Sequence, residues 1–277
     1  MSKIIVITDF SESARNALNY ACAFFGNKDR IEIMLVNIGQ VPTSYSGDGV
    51  AMAAISDTLE SRVEKLQAQA AEAGERFPNA HIRYKAVIGS FVKTLKALIE
   101  EEQARLIFLG TPAEYGEIFA WDTDTLSAMT ELPIPVLAIP TNVSFTPITK
   151  IAFASIPGGI NSVSPIESLK RLVKYTGAEL HVISVVVPGH EDPRQAEAES
   201  TLKEQLADVN PVYHIVSSPH VVKEIGHFVA ELQAGILVVR PRKHGIWYNL
   251  FHKSYTKELA RLNTIPVMAL HNEWELQ

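Results

Sequence analysis

The stretch Ile134-Pro135-Val136-Leu137-Ala138-Ile139 recurs as Ile265-Pro266-Val267-Met268-Ala269-Leu270, at an offset of 131 residues. Working outward from it, Val92-Lys93 and Gln103-Ala104 match Val222-Lys223 and Gln233-Ala234 at an offset of 130. Ile107-Phe108-Leu109 falls on Leu237-Val238-Val239. Near the start, Lys3-Ile4 matches Lys150-Ile151 at an offset of 147. A unit of about 140 residues is therefore present twice, with length changes taken up in loops. The join falls in Pro140–Pro147, PTNVSFTP, a polar and proline-flanked connector. This predicts one domain over residues 1–141, a linker over 142–148 and a second domain over 149–277.

Each unit alternates apolar, β-branched runs with helical patterns. In the first, strands are expected at Lys3–Thr8, Glu32–Ile38, His81–Val87, Leu106–Leu109 and Val136–Ile139. Helices are expected from Ser11, over about Ile55 to Glu75, over Phe91–Glu101 and around Leu126–Leu132. The second unit repeats this with strands near Ile151–Ala154, Glu179–Val187, Val212–Val216, Ile236–Val239 and Val267–Leu270. Val/Ile-rich strands separated by helices mean a parallel sheet covered on both faces, an α/β fold. With strand order 3-2-1-4-5, ligands belong beyond the carboxyl ends of strands 1 and 4. Those ends are Thr8-Asp9 and Gly110-Thr111 in the first unit, and Ala154-Ser155 and Arg240-Pro241 in the second.

Composition narrows the function classes. The 277 residues are 47% hydrophobic and 20% charged, as in ordinary globular domains. No apolar run approaches the roughly 20 residues of a membrane-spanning helix. The first apolar run is broken by Asp9 and there is one cysteine, Cys22, so a cytoplasmic location is expected. A net charge of −6 argues against general nucleic-acid binding. The charge is uneven: residues 1–147 carry 12 Lys+Arg against 18 Asp+Glu, and residues 148–277 carry 13 of each. Cys22 sits among apolar neighbours on the first helix and reads as a small core residue. Eight of the nine histidines lie in the second half, without zinc-ligand spacing.

The opening ITDFSESARNALNYA, residues 7–21, resembles that of universal stress proteins, and the endings IPVLAIP and IPVMALH resemble that family's last strand. The resemblance extends over both halves. It implies two five-stranded Rossmann-like domains in tandem, paired through their last strands as an internal pseudo-dimer, and a stress-response role. Nucleotide-binding members carry a loop after strand 4 with Gly, two residues, Gly, about nine residues, Gly, then Ser or Thr. Glycines there admit backbone amides to phosphates, and the hydroxyl adds a donor.

Here Gly110 matches the first glycine and Thr123 the hydroxyl, but Ala113 and Asp122 stand at the other two glycine positions. In the second half Arg240, Lys243 and Lys253 stand at the glycines, and Ser254 is retained. Thr125 and Thr256 match a further threonine of the pattern. With Thr8, Asp9, Val36 and Thr111, these form the candidate cofactor-binding set. The ligands implied are ATP, ADP or AMP, with Mg²⁺ as a bridging ion.

The departures weaken phosphate binding in the first half. Gly110–Thr125 holds Glu114, Glu117, Asp122 and Asp124 and no base. A carboxylate at about 4 Å from a phosphate charge costs roughly 4 kcal/mol at an effective dielectric near 20. The second half reverses the sign: Arg240–Lys257 holds Arg240, Arg242, Lys243, Lys253 and Lys257 and no acid, but Ala154-Ser155 replaces the Thr-Asp pair. That segment suits an anion or an acidic partner. Ser155–Ser162, SIPGGINS, faintly resembles the phosphate loop of ATP pyrophosphatases.

Three readings follow from the residues. One is a non-enzymatic stress-response module with weak or single-site adenine-nucleotide binding, acting through an unknown protein partner. Another is a slow Mg-dependent nucleotide hydrolase using Asp9 or the acidic segment. The third is a ligand-free scaffold. The internal pair allows either a monomer or a homodimer.

Overall fold

The structure, a computed structural model, describes residues 2–26, 31–39, 49–112, 123–155, 164–189, 195–240 and 264–271. Strand β1 (Ser2–Ile7) leads into α1 (Glu12–Phe25), then β2 (Ile31–Gly39), α2 (Gly49–Arg76), β3 (His81–Ile88), α3 (Phe91–Glu102), β4 (Ala104–Thr111), α4 (Thr123–Glu131) and β5 (Val136–Pro140). The second half runs β6 (Lys150–Ser155), α5 (Ser164–Thr176), β7 (Glu179–Val186), α6 (Gln195–Leu206), β8 (Val212–Ser217), α7 (Val221–Leu232), β9 (Ile236–Val239) and β10 (Val267–Ala269). The ten described strands form one sheet in the order β3-β2-β1-β4-β5-β10-β9-β6-β7-β8. Within each half the order is 3-2-1-4-5 and every pairing is parallel.

The halves meet in an antiparallel rung of three: Val136 opposite Ala269, Leu137 opposite Met268 and Ala138 opposite Val267. An unpaired β5 would present a row of open N–H and C=O groups. The rung satisfies both terminal strands at once. Around it, α1 and α5 share an aromatic cluster in which Phe24 stacks on Tyr175 at 5.5 Å and meets Phe145 edge-on at 5.8 Å. Asn16 donates to the carbonyls of Pro140 and Val143 at 2.8 and 2.9 Å, tying α1 to the connector.

Alternation along the strands sorts the core into two layers. On one face Ile4, Val6, Ile33, Leu35, Phe153, Leu180 and Val182 pack under α1, α2, α5 and α6. On the other Ile5, Val36, Ile107, Leu109, Ile183 and Val185 pack under α3, α4 and α7. Cys22 lies in the first layer, and burial pushes its thiol up to about 12, so it fills space rather than reacting. No described helix is long and apolar enough to cross a membrane.

Most element boundaries shift by a residue or two from expectation, and three differences bear on the candidate site. Helix α2 starts at Gly49, because Val50-Ala51-Met52-Ala53-Ala54 has high helix propensity and extends it toward the amino end. Helix α4 starts at Thr123, so Thr125 is helical. Strand β4 does not stop at Gly110: its ladder to β5 continues through Gly110–Ile139 and Thr111–Pro140.

Gly110 has a packing reason to be glycine. A Cβ there would stand 2.2 Å from the backbone carbon and oxygen of Ser13 and 2.5 Å from the amide nitrogen of Ala14. Helix α1 therefore rests directly on β4, and a methyl group would force the two apart. We expect Gly110→Ala to cost roughly 3 kcal/mol or more by urea unfolding. A loss below about 1 kcal/mol would show that α1 yields without penalty.

His271, just beyond β10, supplies a second prediction. Its Nε2 is sealed from solvent without a hydrogen-bond partner, and burial lowers its pKa from 6.5 to about 4. The unfolded chain thus binds a proton that the folded chain refuses. Stability should be full above pH 6.5 and fall by roughly 2 to 3 kcal/mol as pH drops toward 4. His271→Leu should flatten that part of the stability profile. An unchanged slope would place the proton uptake elsewhere.

Candidate functional site

In the first half β1, β2 and β4 end side by side, with Val6 opposite both Leu35 and Phe108. Just past these ends lies a polar cluster on an otherwise apolar face. Thr8 is 2% exposed. Its hydroxyl donates to Gln69 Oε1 at 2.9 Å and accepts from the Phe10 amide at 3.0 Å. Its carbonyl accepts from Asn37 Nδ2 at 2.7 Å, and Asn37 Oδ1 accepts from Arg62 Nη1. The turn into α1 is tight: Phe10 has φ 71°, unusual for a bulky residue. Asp9 is exposed and Oδ1 takes the Ser11 amide at 2.9 Å, while Ser11 Oγ accepts from the Ala14 amide and caps α1.

The structure gathers Thr8, Asp9, Val36, Gly110 and Thr111 at one end of the sheet, but their side chains do not form one surface. Val36 is 0% exposed and belongs to the opposite core layer, so its side chain faces away from Thr8. Its carbonyl receives the Thr8 amide at 2.8 Å. Gly110 is covered by α1. Thr111 is buried, and its carbonyl holds the Thr141 amide and hydroxyl at 2.9 and 3.0 Å. Thr125 is buried on α4. Thr123 is the first residue of α4, with its side chain outside the described residues.

In the second half Arg240 is half-buried just after β9. Lys243, Lys253, Ser254 and Thr256 lie outside the described residues, as does the loop 156–163. Register places Ser155 where Thr8 stands and Ser184 where Asn37 stands, because Lys3 opposite Glu32 corresponds to Lys150 opposite Glu179. Both serines are buried.

Arg62 and Gln69 were not expected at this site, yet they connect it. Their signal is in the sequence. Arg62, Leu66, Gln69 and Ala73 follow a 4-3-4 spacing, one face of a helix, and Leu66 and Ala73 are core residues. Two polar residues on such a face need polar partners beneath them. Asn37 in the apolar run Ile31–Gly39 supplies the matching signal on the strand.

Elsewhere in the second half, His181 Nδ1 and His214 Nε2 are 3.0 Å apart, and His181 Nε2 is 3.1 Å from Glu179 Oε2. His214 packs on Phe228, and burial together with the neighbouring His181 lowers its pKa. Among the described residues, no group of three His, Cys, Asp or Glu side chains is arranged to hold a metal ion.

The comparisons with known proteins agree with this architecture. A crystallised universal stress protein from Archaeoglobus fulgidus DSM 4304 superposes with a TM-score of 0.64 at 16% identity, over 98% of this chain and 96% of that one. A putative universal stress protein from Pseudomonas aeruginosa UCBPP-PA14 gives 0.55 at 16% identity, over 99% and 94%. At such identities the likeness is one of fold. No curated protein matches the chain. The model of the universal stress protein family matches residues 1–140, slightly more than half of the chain, and the chain belongs to that family.

Proposed function

We propose that the chain is a stress-response regulatory module that binds an adenine nucleotide weakly, in its first half, and acts by contact with a protein partner. The observation that carries this reading is the Thr8–Asn37–Gln69–Arg62 cluster. It sits where an open parallel sheet takes its ligands, and it is polar on a face that is otherwise core. Much of its hydrogen-bonding capacity is already committed to α2, so a ligand gains little by replacing those bonds. That favours weak binding.

The same cluster offers no nucleophile paired with a base, and Asp9 is engaged as a turn acceptor. Regulation suits such a site better than turnover does. We read the protein as cytoplasmic and the β5–β10 rung as supplying within one chain the pairing that separate domains would otherwise seek. Residues 142–148 are proposed as the linker, and the basic segment from Arg240 as the face for an acidic partner.

Thermal unfolding with ATP-Mg²⁺, ADP and AMP tests the nucleotide reading. A dissociation constant near the ligand concentration stabilises by about 0.4 kcal/mol, and one a hundredfold tighter by about 2.7 kcal/mol. We expect the smaller value, a shift of one or two degrees, reduced by Asp9→Ala. No shift with any nucleotide would leave the scaffold reading standing. A large shift with phosphate release would favour a hydrolase.

A further inference from the structure

Helix α2 carries more positive and donor character toward the crevice than its internal bonds use. Gln69 is 8% exposed, and its Oε1 is taken by the Thr8 hydroxyl, but its Nε2 is buried without a partner. Arg62 lies flat against the end of β2: a Cβ on Gly39 would stand 3.0 Å from its Cζ. Of the five guanidinium N–H groups, Asn37 takes one. The Lys65 ammonium stands 5.7 Å above the Phe10 ring, over the turn that begins at Thr8. Among the described residues neither Arg62 nor Lys65 forms an ion pair, whereas Arg76 on the same helix pairs with Glu72. Two unpaired cations and an orphaned buried amide thus border one cluster, in the half of the chain whose net charge is −6.

An oxyanion satisfies all three. A planar guanidinium grips two oxygens of a phosphate or carboxylate, an ammonium adds a point charge, and an amide N–H completes the set. We propose that Arg62, Lys65 and Gln69 form an oxyanion site at the carboxyl ends of β1 and β2, which holds the phosphate or carboxylate of the bound ligand under α2. The site takes no residue from the strand-4 segment to which the glycine-loop resemblance assigns the phosphate. The proposal rests on reading this end of the sheet as a ligand site. The anion is recognised separately from any base or sugar attached to it.

Calorimetric titration of the full chain with adenosine, AMP, inorganic phosphate and citrate tests it. AMP should bind about tenfold more tightly than adenosine, as expected of hydrogen bonds to a charged group. Arg62→Gln keeps a donor for Asn37 and should bring AMP to within about twofold of the adenosine affinity measured on the same variant. Lys65→Gln, an exposed change, should remove about threefold of the AMP advantage. An AMP advantage that survives both substitutions overturns the oxyanion site, while the nucleotide reading stands. Phosphate or citrate binding that is lost in Arg62→Gln, with adenosine silent, keeps the site and overturns the nucleotide reading. Heat from phosphate but not citrate assigns a phosphate ligand, and the reverse a carboxylate. Silence from every anion at roughly 10 mM overturns the proposal.

Discussion

Three antiparallel residue pairs hold the molecule together. The rung between β5 and β10 joins two parallel half-sheets whose terminal strands would otherwise stand open. Its six residues are nearly all without solvent contact and none is charged, so the join is a piece of core rather than a docked surface. The aromatic cluster of Tyr20, Phe24, Phe25, Phe108, Phe145 and Tyr175 extends that core across both halves and the connector. Opening the rung therefore exposes apolar area from α1, α5 and the strands together.

The two halves share a backbone plan and differ in what lies over it. Helix α2 has 28 residues and reaches past the ends of β1 and β2, whereas α6 has 12. On β8, Ile215 is 64% exposed, while Ala86 at the corresponding place on β3 is partly buried against the core. The polar residues follow the same division. Thr8 and Asn37 come with long polar partners from α2, and Ser155 and Ser184 replace them with two hydroxyls. The strand order 3-2-1-4-5 occurs in both halves, and among the described residues the longer helix, α2, organises the cluster in the first.

The fold was legible because its signals are redundant. A repeated IPV ending, Val/Ile-rich strands at matching offsets and the alternation with helices all point to the same parallel sheet. The site was less legible, for identifiable reasons. Gly110 matches a phosphate-loop glycine, yet the contact it permits is with the backbone of α1. Val36 lies beside Asn37, but one step along a strand reverses the face, so only Asn37 joins the cluster. Arg62 and Gln69 were hidden among the many charged and polar residues of α2. Their place shows only when the Leu66–Ala73 stripe is laid against the sheet.

The direction of the central rung has a further consequence. Because β5 and β10 run opposite ways, the carboxyl ends of the first five strands emerge at one rim of the sheet and those of the last five at the other. The strand ends at which each half would take a ligand therefore lie on opposite rims of the sheet. Strands β4, β5, β10 and β9 lie between the two rims. Those strands sit deep in a close-packed core that resists gradual deformation. The architecture insulates as much as it joins, and it leaves each rim free to diverge in chemistry while the centre stays fixed.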